Sequence, residues 1–205
     1  MLESRVSVFA KRALDIVASA VALVLLAPVM LVIALIVKVS EPDAQVIFKQ
    51  ERVGTRGKLF TMYKFRSMWQ DADAHADALI AANGGQKTLF KLIDDPRITP
   101  VGRILRKYSL DEIPQFLNVF FGQMSLVGPR PALPREVRVY SARQWRRLEA
   151  KPGLTGSWQI SGRSSLEHDQ AMEIDLDYID HHSFLGDIKI LMKTPSVVLQ
   201  AKGAA

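Results

Sequence analysis

The sequence predicts an α/β domain, mostly helical with a small sheet, that is associated with a membrane through an N-terminal hydrophobic helix. Three observations predict this class. Residues 16–37 form an uncharged apolar run. Two β-type segments separated by a glycine-containing turn follow within residues 46–66, and helical patterns dominate from residue 101 onward. The chain has 205 residues, which is enough for one domain with a core.

The composition points to an anionic partner. The net charge is +6 and the isoelectric point is about 9.6, and basic proteins favour nucleic acid, anionic membrane surfaces or anionic substrates. Nucleic acid is disfavoured because the cations are scattered among Gly/Pro loops instead of forming one face with stacking aromatic residues. The chain has no cysteine, which excludes disulfides, a thiol nucleophile and cysteine-ligated metals.

The uncharged run is long enough to cross a hydrocarbon core, for which about 20 residues suffice. A secretory signal has a shorter apolar region and a small-residue cleavage site, and a buried core helix is the remaining alternative. Pro28 lies near the middle of the run, where it bends a helix. Lys and Arg flank both ends, and these residues mark the cytoplasmic side. The sequence therefore favours a re-entrant helix broken at Pro28 over a tilted span.

This interpretation divides the chain into a re-entrant membrane helix, residues 1–40, and a cytosolic domain, residues 41–205, with interfacial amphipathic helices. The domain is predicted to begin with a hairpin of two strands, residues 46–50 and 59–66. The alternation of the second strand places Lys64 and Arg66 on one face, where two cations can hold one phosphate. A solvated strand face explains the same pattern equally well.

Helices and loops fill the rest of the predicted domain. A polar helix is expected over residues 68–82, and another over 101–107 with Val101, Ile104 and Leu105 on its apolar face. Residues 135–150 predict a basic helix with Val139, Tyr140 and Trp145, which either lies on lipid headgroups or is solvated. We expect a loop at 151–156, a short strand and turn at 158–163, and helices from residue 166 and over 187–199.

The most informative stretch is residues 109–115, which contains the adjacent acids Asp111 and Glu112. An arginine-rich segment precedes it and a Gly-Pro-Arg-Pro loop follows it. Ser109 and Glu112 fit a capping box, which is a purely structural explanation. Pro114 favours Asp111 as the cap instead, because proline is tolerated only in the first helical turn.

Either capping arrangement places the acid pair at the start of a helix. The helix dipole and the nearby arginines are then expected to favour the ionised carboxylates. An ionised carboxylate beside a bound phosphate can act as a nucleophile, and its neighbour can ligate a hard cation such as Mg²⁺. A catalytic pair and a helix cap both remain open on these residues alone.

These residues together resemble a known family, the bacterial sugar transferases, which are monotopic polyprenyl-phosphate phosphoglycosyl transferases. The similarity covers nearly the whole chain. Besides the hydrophobic helix with its central proline, the matching segments are residues 48–54, 63–68, 95–103, 109–115, 124–131, 151–156 and 158–163.

The resemblance implies a reaction and roles for individual residues. A sugar-1-phosphate would move from a UDP-sugar to undecaprenyl phosphate, with release of UMP. Asp111 would be the nucleophile that forms a phosphosugar–aspartyl intermediate, and Glu112 the second acid, with Mg²⁺ bound by the pair. The residues expected to bind substrate or phosphate are Lys64, Arg103, Pro129, Arg130, Arg163 and Asp187.

The resemblance also implies a place in the cell and a set of partners. The chain would lie on the cytoplasmic face of the bacterial inner membrane, in contact with phospholipids, and would start a polysaccharide or glycoconjugate pathway; a homodimer is left open. Because Met1 lies just ahead of the hydrophobic helix, the chain is either a minimal member of the family or a catalytic fragment. The alternative function is a non-catalytic, membrane-anchored scaffold for anionic lipids or glycan-assembly partners.

Overall fold

The computed structural model describes residues 5–72, 95–162 and 168–200. Within these ranges the protein is mostly helical, as the sequence predicts, and it has two small sheets instead of one. The helices and strands are α1 (Arg5–Ser40), β1 (Ile47–Val53), β2 (Leu59–Phe65), α2 (Pro100–Lys107), α3 (Gln115–Phe120), β3 (Ser125–Val127), α4 (Pro134–Val137), α5 (Ala142–Trp145), β4 (Gly153–Thr155), α6 (Ser157–Ile160), α7 (His168–Asp180) and α8 (Phe184–Gln200). Short 3₁₀ turns occupy Thr55–Gly57, Leu110–Glu112 and Arg146–Glu149.

Helix α1 is continuous over 36 residues and Pro28 lies inside it, so the predicted break of the helix at Pro28 is not observed. Its Ser7–Ser40 part is the only helix among the described residues that is long and apolar enough to cross a membrane. At 1.5 Å per residue, 36 residues correspond to about 54 Å of helix. This length exceeds the roughly 30 Å of a hydrocarbon core.

Both halves of α1 contact the rest of the protein. Leu14 and Ala18 pack against a core that includes Val119, Met124 and Tyr178. Near the other end, Ile33 and Val37 are buried in a second core with Phe65, Leu105 and Ile113. The opposite side of the helix carries exposed apolar side chains, among them Val17, Val21, Val24, Leu25, Val32 and Leu35.

Three charged side chains fix the first half of α1 to the domain. Lys11 donates to the carbonyl of Val127 at 2.9 Å, and Arg12 donates to the carbonyl of Val119 at 2.8 Å. The buried carboxylate of Asp15 accepts from the backbone N–H of Leu126 at 2.8 Å. Lys11 and Arg12, which precede the apolar run in the sequence, therefore bind the folded domain.

The two sheets bring distant segments together. Strands β1 and β2 form the predicted antiparallel hairpin, in which Arg52 pairs with Phe60. Strands β3 and β4 pair in parallel, so β4 corrects the prediction of a loop at 151–156. A Cβ atom on Gly153 would lie 2.1 Å from the backbone nitrogen of Gly128, and only glycine allows the two chains to approach so closely.

Several local predictions are wrong. The basic segment expected to be one helix at 135–150 is divided into α4, α5 and a 3₁₀ turn, because Ser141 has an extended backbone conformation and its side chain caps the start of α5. Tyr140 and Arg147 are buried, whereas Val139 and Trp145 are exposed. The segment expected as a strand at 158–163 begins as helix α6. On α2, Ile104 is exposed although it was placed on the apolar face.

The polar helix predicted over 68–82 falls mostly outside the described residues. Its first part is not helical, since Met68 forms an isolated bridge with Ile98 and a turn follows. The helices predicted from residue 166 and over 187–199 are confirmed, because α7 and α8 occupy these segments. Helix α2 is also confirmed, and the Thr99 side chain caps it by accepting from the N–H of Gly102 at 2.8 Å.

Candidate active site

Asp111 and Glu112 lie in a 3₁₀ turn between α2 and α3. Ser109 enters this turn with φ 53°, in the left-handed region, and its side chain makes no capping hydrogen bond. Helix α3 begins only at Gln115, after Pro114. Both capping arrangements predicted from the sequence are therefore wrong, because the pair precedes the helix in a separate turn.

The two acids differ in their exposure. Asp111 is 7% exposed, whereas the Glu112 side chain is 37% exposed. Burial raises the pKa of Asp111 from 3.8 to about 6. Lys64 and Arg106 oppose this rise, and the negative charge of Glu112 adds to it. The expectation that dipole and cations would favour the ionised form is corrected, because loss of solvation outweighs them.

Lys64 connects the hairpin to the acid pair. Its Nζ lies 2.7 Å from Oε1 of Glu112. Arg66, the other cation expected to share a phosphate with Lys64, instead donates from Nε to the carbonyl of Gln45 at 2.7 Å. The hairpin thus brings one of its two predicted cations to the carboxylates.

Helix α2 carries two arginines, Arg103 and Arg106. Arg103 is exposed on α2, and its proposed phosphate contact stays a prediction. Arg106, one helical turn further on, is the arginine of α2 that acts electrostatically on Asp111.

Pro129 and Arg130 lie in the segment of residues 129–132, in which each backbone carbonyl oxygen accepts a hydrogen bond. The carbonyl of Pro129 accepts from the N–H of Gly153 at 2.8 Å. The guanidinium of Arg130 lies 3.2 Å from the buried carboxylate of Glu136 and 6.0 Å from the centre of the Trp158 ring. The Arg130 side chain is 24% exposed, so it keeps a surface for a ligand.

Glu136 is kept ionised by its surroundings. Burial works against the charge, but Arg130, the N–H of Leu133, Arg52 and Arg147 outweigh it and hold the pKa of Glu136 below its usual value. Arg52 and Arg147 were missed as site residues by sequence reasoning. The available signal for Arg52 was its position in the matched segment 48–54; no sequence pattern marks Arg147 apart from its arginine neighbours.

Asp187 lies in a buried network near the start of α8. It is 1% exposed and contacts Lys11 at 2.5 Å, Tyr178 at 2.8 Å and His182 at 3.1 Å. These contacts outweigh burial and hold the pKa of Asp187 below its usual value. The network ties α1 to α8 and to β3, and the proposed substrate contact of Asp187 stays a prediction.

The structure thus assembles five of the predicted residues into two groups. Lys64, Asp111 and Glu112 come together at the 3₁₀ turn, and Pro129 and Arg130 lie in the segment after β3. Arg52 donates to the carbonyl of Pro131 in the same segment as the second group, and the charges of Arg130, Glu136 and Glu112 shift its pKa. Arg163 lies outside the described residues. Among the described residues, no three His, Asp or Glu side chains form a metal-binding group.

This fold and this site define a class: a protein with a long apolar helix whose domain holds two adjacent acids, one of them buried, close to several cations. The sequence profile of the family described as bacterial sugar transferase matches residues 6–201, and the chain belongs to this family.

Similar proteins come from several bacteria. The chain is 45% identical over 196 residues to a protein named galactosyl transferase CpsE from Streptococcus agalactiae. It is 44% identical over 207 residues to one named undecaprenyl-phosphate galactose phosphotransferase from Salmonella typhimurium. These matches cover 95% and 99% of this chain but only 43% of each relative. The chain is 38% identical to the exopolysaccharide production protein ExoY of Rhizobium meliloti, covering 95% of this chain and 88% of that protein.

Proposed function

We propose that the protein is a phosphoglycosyl transferase that moves a sugar-1-phosphate from a UDP-sugar to undecaprenyl phosphate. A carboxylate oxygen of Asp111 attacks the sugar-bearing phosphorus of the donor, the bond to the bridging oxygen breaks, and UMP leaves. A phosphate oxygen of undecaprenyl phosphate then attacks the same phosphorus. The bond to Asp111 breaks, and the product is an undecaprenyl diphosphate sugar.

The observation that carries this proposal is the burial of Asp111 beside Lys64 and Glu112. A buried carboxylate is poorly solvated, so less water must be removed before it attacks a phosphorus atom. With a pKa of about 6, most of the Asp111 side chains are ionised at pH 7. The names of the relatives support the substrates, since one printed name specifies undecaprenyl phosphate and galactose and another UDP-N-acetylgalactosamine.

The cations of the site suit a diphosphate. Transfer of a phosphoryl group depends on positioning and on neutralising charge, and Lys64, Arg106 and Arg130 bring positive charge from three separate elements. In the proposed complex Arg130 binds the donor phosphates, and Lys64 keeps Glu112 beside Asp111.

The acid pair also suits Mg²⁺. Magnesium in proteins usually takes one or two carboxylates and completes its shell with water and substrate phosphates, so two carboxylates are an adequate protein contribution. Asp111 and Glu112 would hold the ion, which would neutralise charge on the diphosphate during transfer. Lys64 shares Glu112 with the metal in this arrangement.

The membrane helix is proposed to be re-entrant, entering and leaving on the cytoplasmic face of the bacterial inner membrane. This course requires that α1, which is continuous in the structure, bends at Pro28 within the bilayer, where proline removes a backbone hydrogen bond. Lys11 near one end and Val37 near the other both contact the same domain. A helix that crossed the bilayer would separate these two positions by about 30 Å of hydrocarbon. The re-entrant course keeps the site at the depth of the lipid phosphate.

The test separates the transferase from the scaffold. Membranes containing the protein are incubated with a UDP-sugar alone, and UMP release and the mass of the protein are measured. We expect one equivalent of UMP and a phosphosugar adduct on Asp111, and undecaprenyl phosphate should then discharge the adduct. Asp111→Asn should give neither, whereas Asp177→Asn, a change at an exposed acid, should give both. No UMP release with any UDP-sugar would leave the scaffold as the better explanation.

A further inference from the structure

The backbone of residues 129–132 is held by four consecutive carbonyl oxygens, and each of them has a different donor. Pro129 accepts from the N–H of Gly153 at 2.8 Å. Arg130 accepts from Nη2 of Arg147 at 2.7 Å, and Pro131 accepts from Nη1 of Arg52 at 2.9 Å. Ala132 accepts from the N–H of Val53 at 2.9 Å.

This arrangement has an electrostatic consequence for an anion. A carbonyl oxygen carries partial negative charge and repels phosphate when it points into the same space. All four oxygens of the segment are turned towards donors, and two of these donors are guanidinium groups. The segment can therefore present the Arg130 side chain without presenting its carbonyl oxygens.

Two of the four donors are buried arginine side chains, and burying a charged group costs free energy unless it is paired. Arg147 has a 6% exposed side chain and also donates to Asp175 and Tyr140, each at 2.7 Å. Arg52 is 7% exposed, and its Nη2 donates to Gln50 at 2.6 Å. Among the described residues no carboxylate forms an ion pair with Arg52, and its Nε atom is buried without a hydrogen-bond partner.

The surroundings of Arg52 work against its charge. Burial and the neighbouring Arg130 lower the pKa of Arg52 to about 9, while Glu136 and Glu112 raise it. The positive charges of Arg52, Arg130 and Arg147 all lower the pKa of Glu136, and Arg130 contacts its carboxylate directly at 3.2 Å. A cluster that contains more positive than negative charges is stabilised when an anion binds to it.

We propose that Arg52 and Arg147 are positioning residues for Arg130. They hold the backbone of residues 129–132 on both sides, so that the Arg130 guanidinium meets the diphosphate of the donor in one orientation. This inference rests on the proposed function, in which Arg130 binds the donor phosphates. Arg52 and Arg147 touch the backbone of the segment and act on the substrate through Arg130.

The test uses UDP as a diphosphate probe and a cycle of variants at residues 52 and 130. The affinity of the membrane-bound protein for UDP is measured for the wild type, Arg52→Met, Arg130→Gln and the double variant. A misplaced contact costs up to about 100-fold, and we expect Arg52→Met to weaken UDP binding by roughly 10- to 100-fold. Because Arg52 acts through Arg130, the double variant should bind no more weakly than Arg130→Gln alone.

Two further measurements separate positioning from general damage to the fold. Hydrogen exchange of a peptide covering residues 128–133 should increase in Arg52→Met while the melting temperature stays within a few degrees of the wild type. Guanidinium ion at millimolar concentration should restore part of the UDP affinity of Arg52→Ala, because it can occupy the vacated place. Arg147→Gln should weaken UDP binding as Arg52→Met does, but with a lower melting temperature, because it leaves the buried carboxylate of Asp175 without its ion pair. The neighbouring Arg146→Gln, which breaks only an exposed pair with Asp180, should match the wild type.

Independent, multiplicative losses in the double variant would overturn the positioning role, and so would unchanged UDP affinity in Arg52→Met. The proposed function is judged separately by UMP release from the wild type. If the wild-type protein binds UDP but releases no UMP from any UDP-sugar, the proposed transferase reaction is wrong. The variant cycle would still decide whether Arg52 positions Arg130.

Discussion

Nζ of Lys64 lies 2.7 Å from Oε1 of Glu112, and the same ammonium group is the strongest of the charges that oppose the effect of burial on Asp111. Lys64 of the hairpin therefore interacts with both acids. It holds Glu112 by an ion pair and tunes the ionisation of Asp111 through space.

The rate of adduct formation should depend on pH with a midpoint near 6. Asp111 attacks only as the carboxylate, and burial raises its pKa to about 6. The rate should therefore be low at pH 5, rise through pH 6 and reach a plateau above pH 7. Single-turnover UMP release measured from pH 5 to pH 8 checks this, and a pH-independent rate would argue against Asp111 as the nucleophile.

Lys64→Met should move this midpoint to higher pH. Removing the ammonium removes the largest influence that lowers the pKa of Asp111, so the carboxyl holds its proton more strongly. The loss of rate relative to wild type should be greater at pH 6 than at pH 8. Lys64→Arg keeps the charge and should keep the midpoint, and a midpoint unaffected by Lys64→Met would show that the two groups do not interact.

Asp111→Asn should stabilise the fold above pH 6 while abolishing activity. The folded pKa, about 6, lies above the ordinary value of 3.8, so the wild type loses stability as the pH rises from about 4 to 6. At about 1.4 kcal/mol for each pKa unit, the full effect is roughly 3 kcal/mol. Thermal melting should give a higher melting temperature for the variant at pH 7.5 and a smaller difference at pH 4.5. A melting temperature lower for Asp111→Asn than for the wild type at pH 7.5 would contradict the raised pKa of Asp111.

Asn118→Ala should destabilise the protein by about 3 kcal/mol, because buried polar partners would lose their hydrogen bonds. Asn118 is fully buried; its amide oxygen accepts from the N–H of Tyr63 at 3.1 Å, and its amide nitrogen donates to the carbonyl of Thr61 at 2.7 Å. It therefore fixes α3, which follows the acid pair, to β2, which carries Lys64. Chemical denaturation in detergent measures the loss, with Gln70→Ala, a change at an exposed side chain, as the control.

Cysteine labelling should place the start of α1 and helix α8 on the same side of the membrane. The chain has no native cysteine, and Phe9 and Met192 are equally exposed at 76%. An impermeant thiol reagent should label Phe9→Cys and Met192→Cys only after the cells are opened. Val24→Cys, in the middle of α1, should stay protected by lipid. Labelling of Phe9→Cys in intact cells would contradict the re-entrant course.

Local patterns were sufficient for much of the fold. The uncharged run predicts α1, the alternation around Lys64 predicts β2, and the apolar periodicity near the C-terminus predicts α8. Each of these signals lies within a short window of the chain. The basic segment at 135–150 was misjudged because Tyr140 and Arg147 turn into the core while Trp145 does not, and this depends on contacts with α7 that no local pattern contains.

The sequence by itself determined that the protein has one long apolar helix, that two acids are adjacent at residues 111 and 112, and that cations surround them along the chain. Only the tertiary structure decided how these charges act. It buries Asp111, so that loss of solvation outweighs the cations and raises its pKa. It also places Arg52 against Pro131, which is 79 residues away. Solvent exposure and contacts between distant segments are properties of the folded chain, and for that reason the order of residues did not reveal them.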